Sequence, residues 1–567
     1  MSQTFDQIPN HLRKYVVEQN YEKYTSIDQA CWRFVLRQLK DFLSKNAHES
    51  YLDGLEKTGI SIEKIPHISD ISKKIEKFGW RAIPVSGFIP PAAFMEMQSL
   101  SILPIASDMR QLGHLMYTPA PDIVHEAAGH APILVHPEFA AYLKQYAQVA
   151  KKAIISKEDL DVYEAIRVLS DMKENPESTE AEIEAAQKHL EQVTKNTTHL
   201  SEAAELARMN WWTAEYGLIG DEKNPKIYGA GLLSSVGESR WCLSDKVKKI
   251  PMSLDCLKYS YDITEPQPQL FVTPNFQKLG EILEEMASGM AYRTGGIQGL
   301  KKALQAQSVN TAEFNTGIQI SGVLTKYICD EKNQVAYLQF SGPSQLSYQD
   351  HELKGHDRRY HQAGYGTAVG PWKNKVDLTV GKNLTLEYTS GVKVQGDLVS
   401  ALYQDEKLIL LSFQNCVVTY KNQTLFDPAW GTYDLAVGEK VISVFGGPAD
   451  RVAYGEVEDF PAKRVPKRTF SEKELLQQKI YLEIRELREK KISGIELEKK
   501  LTDLLDVQGK NFPEDWLFVL EAYELSLNRS ENLKLQYQLK SDLIKFAEAQ
   551  PENKSIIEDG LRLAKEI

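Results

Sequence analysis

Residues 117–132, YTPAPDIVHEAAGHAP, set His125 and His130 around Glu126. Imidazoles and carboxylates crowded into one short stretch are the side chains that hold transition-metal ions or move protons. A zinc protease uses HExxH, because a spacing of four puts both rings on one helix face. Here the spacing is five, which on a regular helix turns the rings about 140° apart. The two can still share an ion if His125 stands at the helix start and the ion lies beside the axis. A lone histidine on an apolar stretch is usually a packed or capping residue, and the pair beside a glutamate favours a metal instead. Residues 210–244, NWWTAEYGLIGDEKNPKIYGAGLLSSVGESRWCLS, embed Glu215 after two tryptophans. A carboxylate in apolar surroundings is costly unless it is paired or bound to a cation. An Arg or Lys from elsewhere is the alternative partner. Two histidines and a carboxylate form the set that suits non-haem Fe(II) and leaves one face open, whereas zinc is more often held four-coordinate.

Such residues need elements to hold them. Residues 1–310 read as mainly helical, with apolar positions at helical spacing over 27–43 and 139–150. A further helix over 277–292 is ended by Gly295-Gly296. Residues 159–207 are rich in Glu, Ala, Lys and Gln and are interrupted near Glu174-Asn175-Pro176, which predicts a helical hairpin. After about residue 312 the pattern changes to short β-branched or aromatic runs at 317–326, 334–340, 384–388, 408–413 and 416–420. They predict a small all-β domain, a barrel or sandwich, ending near Gly446-Gly447-Pro448. Residues 456–468 carry charges with Pro461 and Pro466 and read as a linker. Ser471, three before Glu474, opens a helix that Ser493-Gly494 closes, and amphipathic stretches follow at 516–527 and 533–546. The expected organisation is a mainly α catalytic domain over 1–310 with a helical insertion at about 159–200, an all-β domain over 311–455, a linker over 456–470 and an α-helical module over 471–567.

Composition bounds the function. The chain has 567 residues, 42% hydrophobic and 26% charged, enough for several packed domains. Lys and Arg total 67 against 78 Asp and Glu, a net charge of -11, which argues against a general nucleic-acid binder. The five cysteines are widely spaced with no CxxC pair, so reduced thiols are expected rather than a disulfide framework or a zinc site. The first residues lack the apolar core of a secretory signal, and no run approaches the roughly 18 apolar residues of a membrane span. A cytoplasmic, soluble, multidomain protein without membrane or nucleic-acid partners is the expectation.

The three blocks SDMRQLGHLMYTPAPDIVHEAAGHAP, WWTAEYGL and YGAGLLSSVGE resemble those of the aromatic amino acid hydroxylases, the pterin-dependent iron monooxygenases. The resemblance covers roughly residues 20–300, with the blocks in order. It implies that domain's fold, and His125, His130 and Glu215 as catalytic ligands of Fe(II). Arg110 matches the arginine that grips the amino acid's carboxylate, a task suited to its planar fork. Asp122 matches the residue that orients it, and Tyr117, Thr118 and Pro119 lie beside the substrate. Trp211 matches a wall for the substrate ring, Ser234 a polar residue of the pocket and Glu238 a carboxylate behind the ligands. Residues 84–94, PVSGFIPPAAF, resemble the pterin-binding strand and loop. Gly87, Phe88 and Ile89 would give backbone groups to the pterin, Phe94 a stacking face, and Glu126 a contact to the pterin or its bridging water. Pro90-Pro91 replaces the family's small polar pair. The implied cofactors are Fe(II) and tetrahydrobiopterin or another tetrahydropterin, with O2 as co-substrate. A free aromatic amino acid is the implied partner, and pterin-recycling enzymes are functional ones.

Val272 aligns with a position in the substrate loop, where an apolar residue leaves a phenol without a partner, an effect of about 1–3 kcal/mol. L-Phenylalanine hydroxylated to L-tyrosine is therefore the favoured reaction. Tryptophan or tyrosine hydroxylation, a zinc-dependent hydrolase and a non-catalytic binding protein are the alternatives. The gap from His125 to Glu215 is 90 residues (215 minus 125), longer than in the family, and the excess falls in 159–200 as an inserted exposed hairpin. The second half has no counterpart in the resemblance. In HELKGHDRRYH, the histidines 351, 356 and 361 alternate with Lys354, Arg358 and Arg359, and like charges repel a cation, so a solvated basic loop is expected. The apolar stripe of the helix after Ser471 is expected to pack within its own module.

Overall fold

Thr25 starts the first long helix. Its hydroxyl accepts from the Asp28 amide while the Asp28 carboxylate accepts from the Thr25 amide, and the helix runs Ser26–Asn46. Its apolar face, including Trp32, Val35, Leu36 and Leu39, is wholly buried in the main core. The computed structural model describes residues 8–85, 89–116, 121–174, 178–262, 265–455 and 469–566.

The first three hundred residues are mainly helical, with two small sheets that feed the site. Arg81–Val85 and Ile102–Ala106 pair in parallel. A mixed four-stranded sheet has the order Lys226–Ile227, Leu218–Ile219, Gln269–Thr273, Lys248–Pro251. The chain expected as one helix to residue 292 instead stops at Ser288 and adds a short turn, Ala291–Thr294. Gly295 and Gly296 both hold positive φ there, which breaks the run before a separate helix, Gly296–Ala306, begins. Between the segments that carry His130 and Glu215, helices Lys157–Glu174 and Glu180–Lys195 pack against each other. Thr179 caps the second with Glu182, and Glu158 accepts from the Thr198 hydroxyl at 2.7 Å, closing the hairpin at its base.

From Val309 to Gly446 the chain is strand-rich. A six-stranded sheet is built around Ile318–Cys329 and Val335–Tyr348, and a five-stranded sheet around Val392–Gln404 and Lys407–Tyr420. The runs expected as separate strands at 408–413 and 416–420 form one strand, because Asn415 at φ 50° absorbs the irregularity as a bulge.

Five helices follow: Glu472–Glu489, Gly494–Asn511, Trp516–Arg529, Leu533–Ala549 and Lys554–Leu563. Ser471 and Glu474 form the expected capping box, but the helix ends at Glu489, and Ser493 opens the next one rather than closing the first. The expected linker falls largely on 456–468, outside the described residues.

These helices do not keep their apolar faces to themselves. Ile480, Tyr481, Trp516 and Phe518 share one core with Trp32 and Phe34, and the Trp516 and Phe34 rings meet edge to face at 5.1 Å. Arg33, buried on the first long helix, donates to Glu521 at 2.8 Å and also to Glu524 and Glu63, while Arg488 pairs with Glu521 and Arg37 with Glu524. Although burial opposes its charge, the arginines hold Glu521 below the ordinary carboxylate range. Each charge tolerates burial because its neighbours compensate it. The expectation of a self-contained module therefore fails at this seam.

Candidate metal centre

Both segments that carry the candidate ligands are π-helical, and this resolves the spacing of five. Over Val124–His130 the turn is widened, so that the Ala131 amide bonds to the Glu126 carbonyl five residues back. Over Trp211–Glu215 the Tyr216 amide bonds to the Trp211 carbonyl, again five back. In such a turn residues i and i+5 lie one turn apart and share a face. His125 and His130 consequently stand with ring centroids 5.0 Å apart and planes at 83°. An ion beside the helix start, expected for a regular helix, is not needed. Glycine permits the close packing around them. A Cβ on Gly129 would stand 2.6 Å from the Ala230 carbonyl oxygen, and one on Gly229 would stand 2.4 Å from that of Glu215.

Glu215 bridges the two rings. Its Oε2 lies 3.3 Å from His125 Nε2 and its Oε1 lies 3.3 Å from His130 Nε2. Burial alone would raise the Glu215 carboxyl, but the facing imidazoles outweigh it and hold the group well below the usual carboxylate range. The same pairing pushes His130 up to about 9 against the effect of burial. A proton therefore competes for the position that a cation would take.

The supports fix which atoms face inward. Ser234 Oγ donates to the Ala230 carbonyl at 2.7 Å, so toward His125 Nδ1, 3.2 Å away, it acts as acceptor. That puts a proton on His125 Nδ1, so Nε2 is the nitrogen that would face a cation in place of a proton. Glu126 Oε2, 4.0 Å from His130 Nε2, is buried without a hydrogen-bond partner. Burial raises its carboxyl. An ionised carboxylate, two inward imidazole nitrogens and an unsatisfied acid behind them fit a divalent cation with room for further ligands.

Arg110 and Asp122 form a buried fork. Arg110 Nε donates to Asp122 Oδ2 at 2.8 Å and its Nη2 to Oδ1 at 2.7 Å, while Nη1 donates to the Ser234 carbonyl at 3.1 Å. Asp122 Oδ1 also accepts from the His125 amide at 3.1 Å, tying the fork to the ligand turn. Burial works against Asp122, but Arg110 keeps it ionised, below its ordinary range.

These residues open onto a cavity of about 590 Å³ lined by His125, Glu215, Arg110 and Trp211. Ile89, Phe94, Glu126, Ser234 and Glu238 line it as well. Trp211 is sandwiched between Tyr216 at 4.5 Å and Tyr261 at 4.4 Å, with its Nε1 buried and unpaired. Tyr216 donates to Glu238 at 2.8 Å, and burial pushes that carboxyl up to about 7. Phe94 sits not in a loop but in the helix Pro91–Ser99, whose first position suits Pro91 because no amide hydrogen is needed there.

Some expectations are not met. Val272 lies buried in the strand Gln269–Thr273, paired with Leu218, outside the described cavity lining. Gly87, Phe88, Tyr117, Thr118 and Pro119 lie outside the described residues. Sequence reasoning missed Tyr261 and Arg451. Tyr261 carries no local signal, and Arg451 comes from beyond the strands to pair with Glu96 at 3.4 Å at the cavity's far side. In the loop after Glu352, Lys354 and Arg359 are exposed as expected, whereas His361 is buried and His356 half-buried, with His356 Nδ1 and His361 Nε2 3.2 Å apart and Asp434 close by.

A family profile for biopterin-dependent aromatic amino acid hydroxylases matches residues 6–160 and 194–295, leaving out most of the inserted hairpin. A phenylalanine-4-hydroxylase of Mesorhizobium japonicum is 30% identical over 274 residues, which cover 48% of this chain and 83% of that protein. One of Pseudomonas aeruginosa is 30% identical over 265 residues, covering 46% and 84%. A crystal structure of the Chromobacterium violaceum phenylalanine hydroxylase, with bound iron(III) and 7,8-dihydrobiopterin, aligns at TM-score 0.39 and 26% identity over 48% of this chain and 85% of that one. The chain belongs to the biopterin-dependent aromatic amino acid hydroxylases.

Proposed function

We propose that this protein is an iron- and tetrahydropterin-dependent monooxygenase that converts L-phenylalanine to L-tyrosine with O2. The observation that carries the reading is the meeting of His125, His130 and Glu215 beside the Arg110 fork, in a chain whose relatives are named phenylalanine-4-hydroxylases. In the balanced reaction one oxygen atom enters the substrate ring and the other the pterin, which supplies two electrons.

His125, His130 and Glu215 would hold Fe(II), which when bound supplies the activation of O2. Asp122 holds the Arg110 fork flat so that its outer edge can receive the substrate carboxylate. Trp211, stiffened by its two tyrosines, gives the ring a wall. Ile89, Phe94 and Glu126 line the pterin side of the cavity. Ser234 keeps the His125 tautomer, and apolar lining excludes water. From the family motifs alone, Tyr117, Thr118 and Pro119 are assigned to the substrate and Gly87 and Phe88 to the pterin.

Domain boundaries follow the same reading: a catalytic domain to about residue 310, a small all-β domain over 311–455 and a helical module from 471. Among the described residues no helix is long and apolar enough to cross a membrane, and a cytoplasmic enzyme served by pterin-recycling partners is proposed. Purified chain incubated with Fe(II), a tetrahydropterin and, in turn, phenylalanine, tyrosine and tryptophan tests this. Tyrosine formation that needs both cofactors is the expected result. A preference for tryptophan, or turnover indifferent to pterin, would overturn it.

A further inference from the structure

We propose that His356, His361 and Asp434 form a second metal site, which takes one divalent ion of the zinc class. His356 and His361 lie in the segment between the strands His351–Glu352 and Gly364–Ala368 of the six-stranded sheet. Asp434 lies on Tyr433–Ala436, a strand of the five-stranded sheet. One candidate ligand atom from each side chain falls within 4.8 Å of the other two.

The geometry suits small-ion coordination. Two ligands about 2.0–2.1 Å from a tetrahedral zinc stand about 3.3 Å apart. His356 Nδ1 and His361 Nε2 are separated by 3.2 Å, and His356 Nδ1 and Asp434 Oδ2 by 4.0 Å. Closing the second pair on an ion therefore needs a shift of about 0.7 Å. The Asp434 side chain is only 2% exposed, and among the described residues no lysine or arginine lies within 4.0 Å of it. Ser412 Oγ donates to its Oδ1 at 2.6 Å, which orients the carboxylate. Tyr365 fixes the strand itself by donating to the Asp434 carbonyl at 2.6 Å.

The positive charges that argue against a cation point elsewhere. Arg358 lies over the Tyr454 ring at 5.4 Å, Arg359 faces Asp357 and is 91% exposed, and Lys354 is exposed. His356 keeps 15% of its side chain exposed, so a water can complete the fourth position. A bound ion joins a segment of one sheet to a strand of the other and so stabilises their packing.

The test uses the full chain carrying His125→Ala and His130→Ala, which disables the first cluster. Zn2+ titration followed by calorimetry, and Co2+ titration followed by visible absorption, are expected to show about one ion per chain and a rise in Tm. Adding His356→Ala, and separately Asp434→Asn, is expected to weaken binding by about tenfold or more and to abolish the Tm rise, with an unchanged circular dichroism spectrum. His361→Ala is expected to act in the same way, and should it not fold, the other two variants still decide the matter. No ion taken up by the first-cluster variant, or uptake unaffected by either added change, would overturn the proposal and leave a hydrogen-bonded histidine pair.

Discussion

Two clusters of two histidines and one carboxylate sit in the two halves of this molecule. In both, the histidines are five residues apart, 125 and 130 in one, 356 and 361 in the other. In both, the carboxylate arrives from far along the chain and a serine braces the set. Their surroundings differ. The first opens onto a cavity of about 590 Å³ beside a buried arginine fork and a tyrosine–tryptophan stack, whereas the second lies between two sheets. A ligand set decides what ion can bind, and the space beside it decides whether chemistry follows.

The contrast can be broken most sharply at the carboxylates. Glu215→Ala removes the group bridging both imidazoles, and hydroxylation is expected to fall by at least about a thousandfold, with iron content lost in parallel. Asp434→Ala is expected to leave tyrosine formation within about twofold of the parent, since it touches neither cavity nor fork. Equal losses from the two changes, read by product assay, would erase the distinction.

Arg110→Lys keeps the charge but loses the two-pronged contact with Asp122. The KM for phenylalanine is expected to rise by about 10–100-fold while iron content is kept, a pattern no change at the second cluster should reproduce. The bracing serines give a finer comparison. Ser234→Ala is expected to weaken metal binding at the first cluster about tenfold, and Ser412→Ala at the second alone, each measured by competition with a chelator.

The smallest effect concerns pH. Burial raises the Glu238 carboxyl from 4.5 to about 7, so between those values the folded state holds a proton that the unfolded state has released. Stability from this group accordingly falls as pH rises from 4.5 to 7, by about 1–3 kcal/mol. Glu238→Gln is expected to flatten that slope in urea melts at pH 5 and pH 8, and an unchanged slope would show that another group sets it.

The residues of the first cluster were readable because histidine, glutamate and tryptophan stand out in apolar stretches. Their geometry was not readable. A π-helical turn leaves no periodic trace, so the spacing of five looked unfavourable although it is what brings His125 and His130 together. The meeting of His356 and His361 with Asp434 was not readable for another reason. The directions of Arg358 and Arg359 are set by Tyr454 and Asp357, and Asp434 lies 73 residues beyond His361 (434 minus 361) with no local mark. Helix starts at Thr25 and Ser471 were visible because capping is local. The seam between Arg33 and Glu521 was hidden, since it depends on partners 488 residues apart. Val272 shows the opposite failure, where alignment suggested a contact and the strand turned the side chain into the core.

The central claim is that the first cluster alone holds the working iron. Metal-free chain carrying His356→Ala, titrated with Fe(II) in the presence of phenylalanine, tetrahydropterin and O2, puts it to the most direct test. Tyrosine formation should rise with added iron and level off at about one ion per chain, as in the parent, while His125→Ala should form none at any iron level. Sustained tyrosine formation by His125→Ala, or its loss in His356→Ala, would contradict the account.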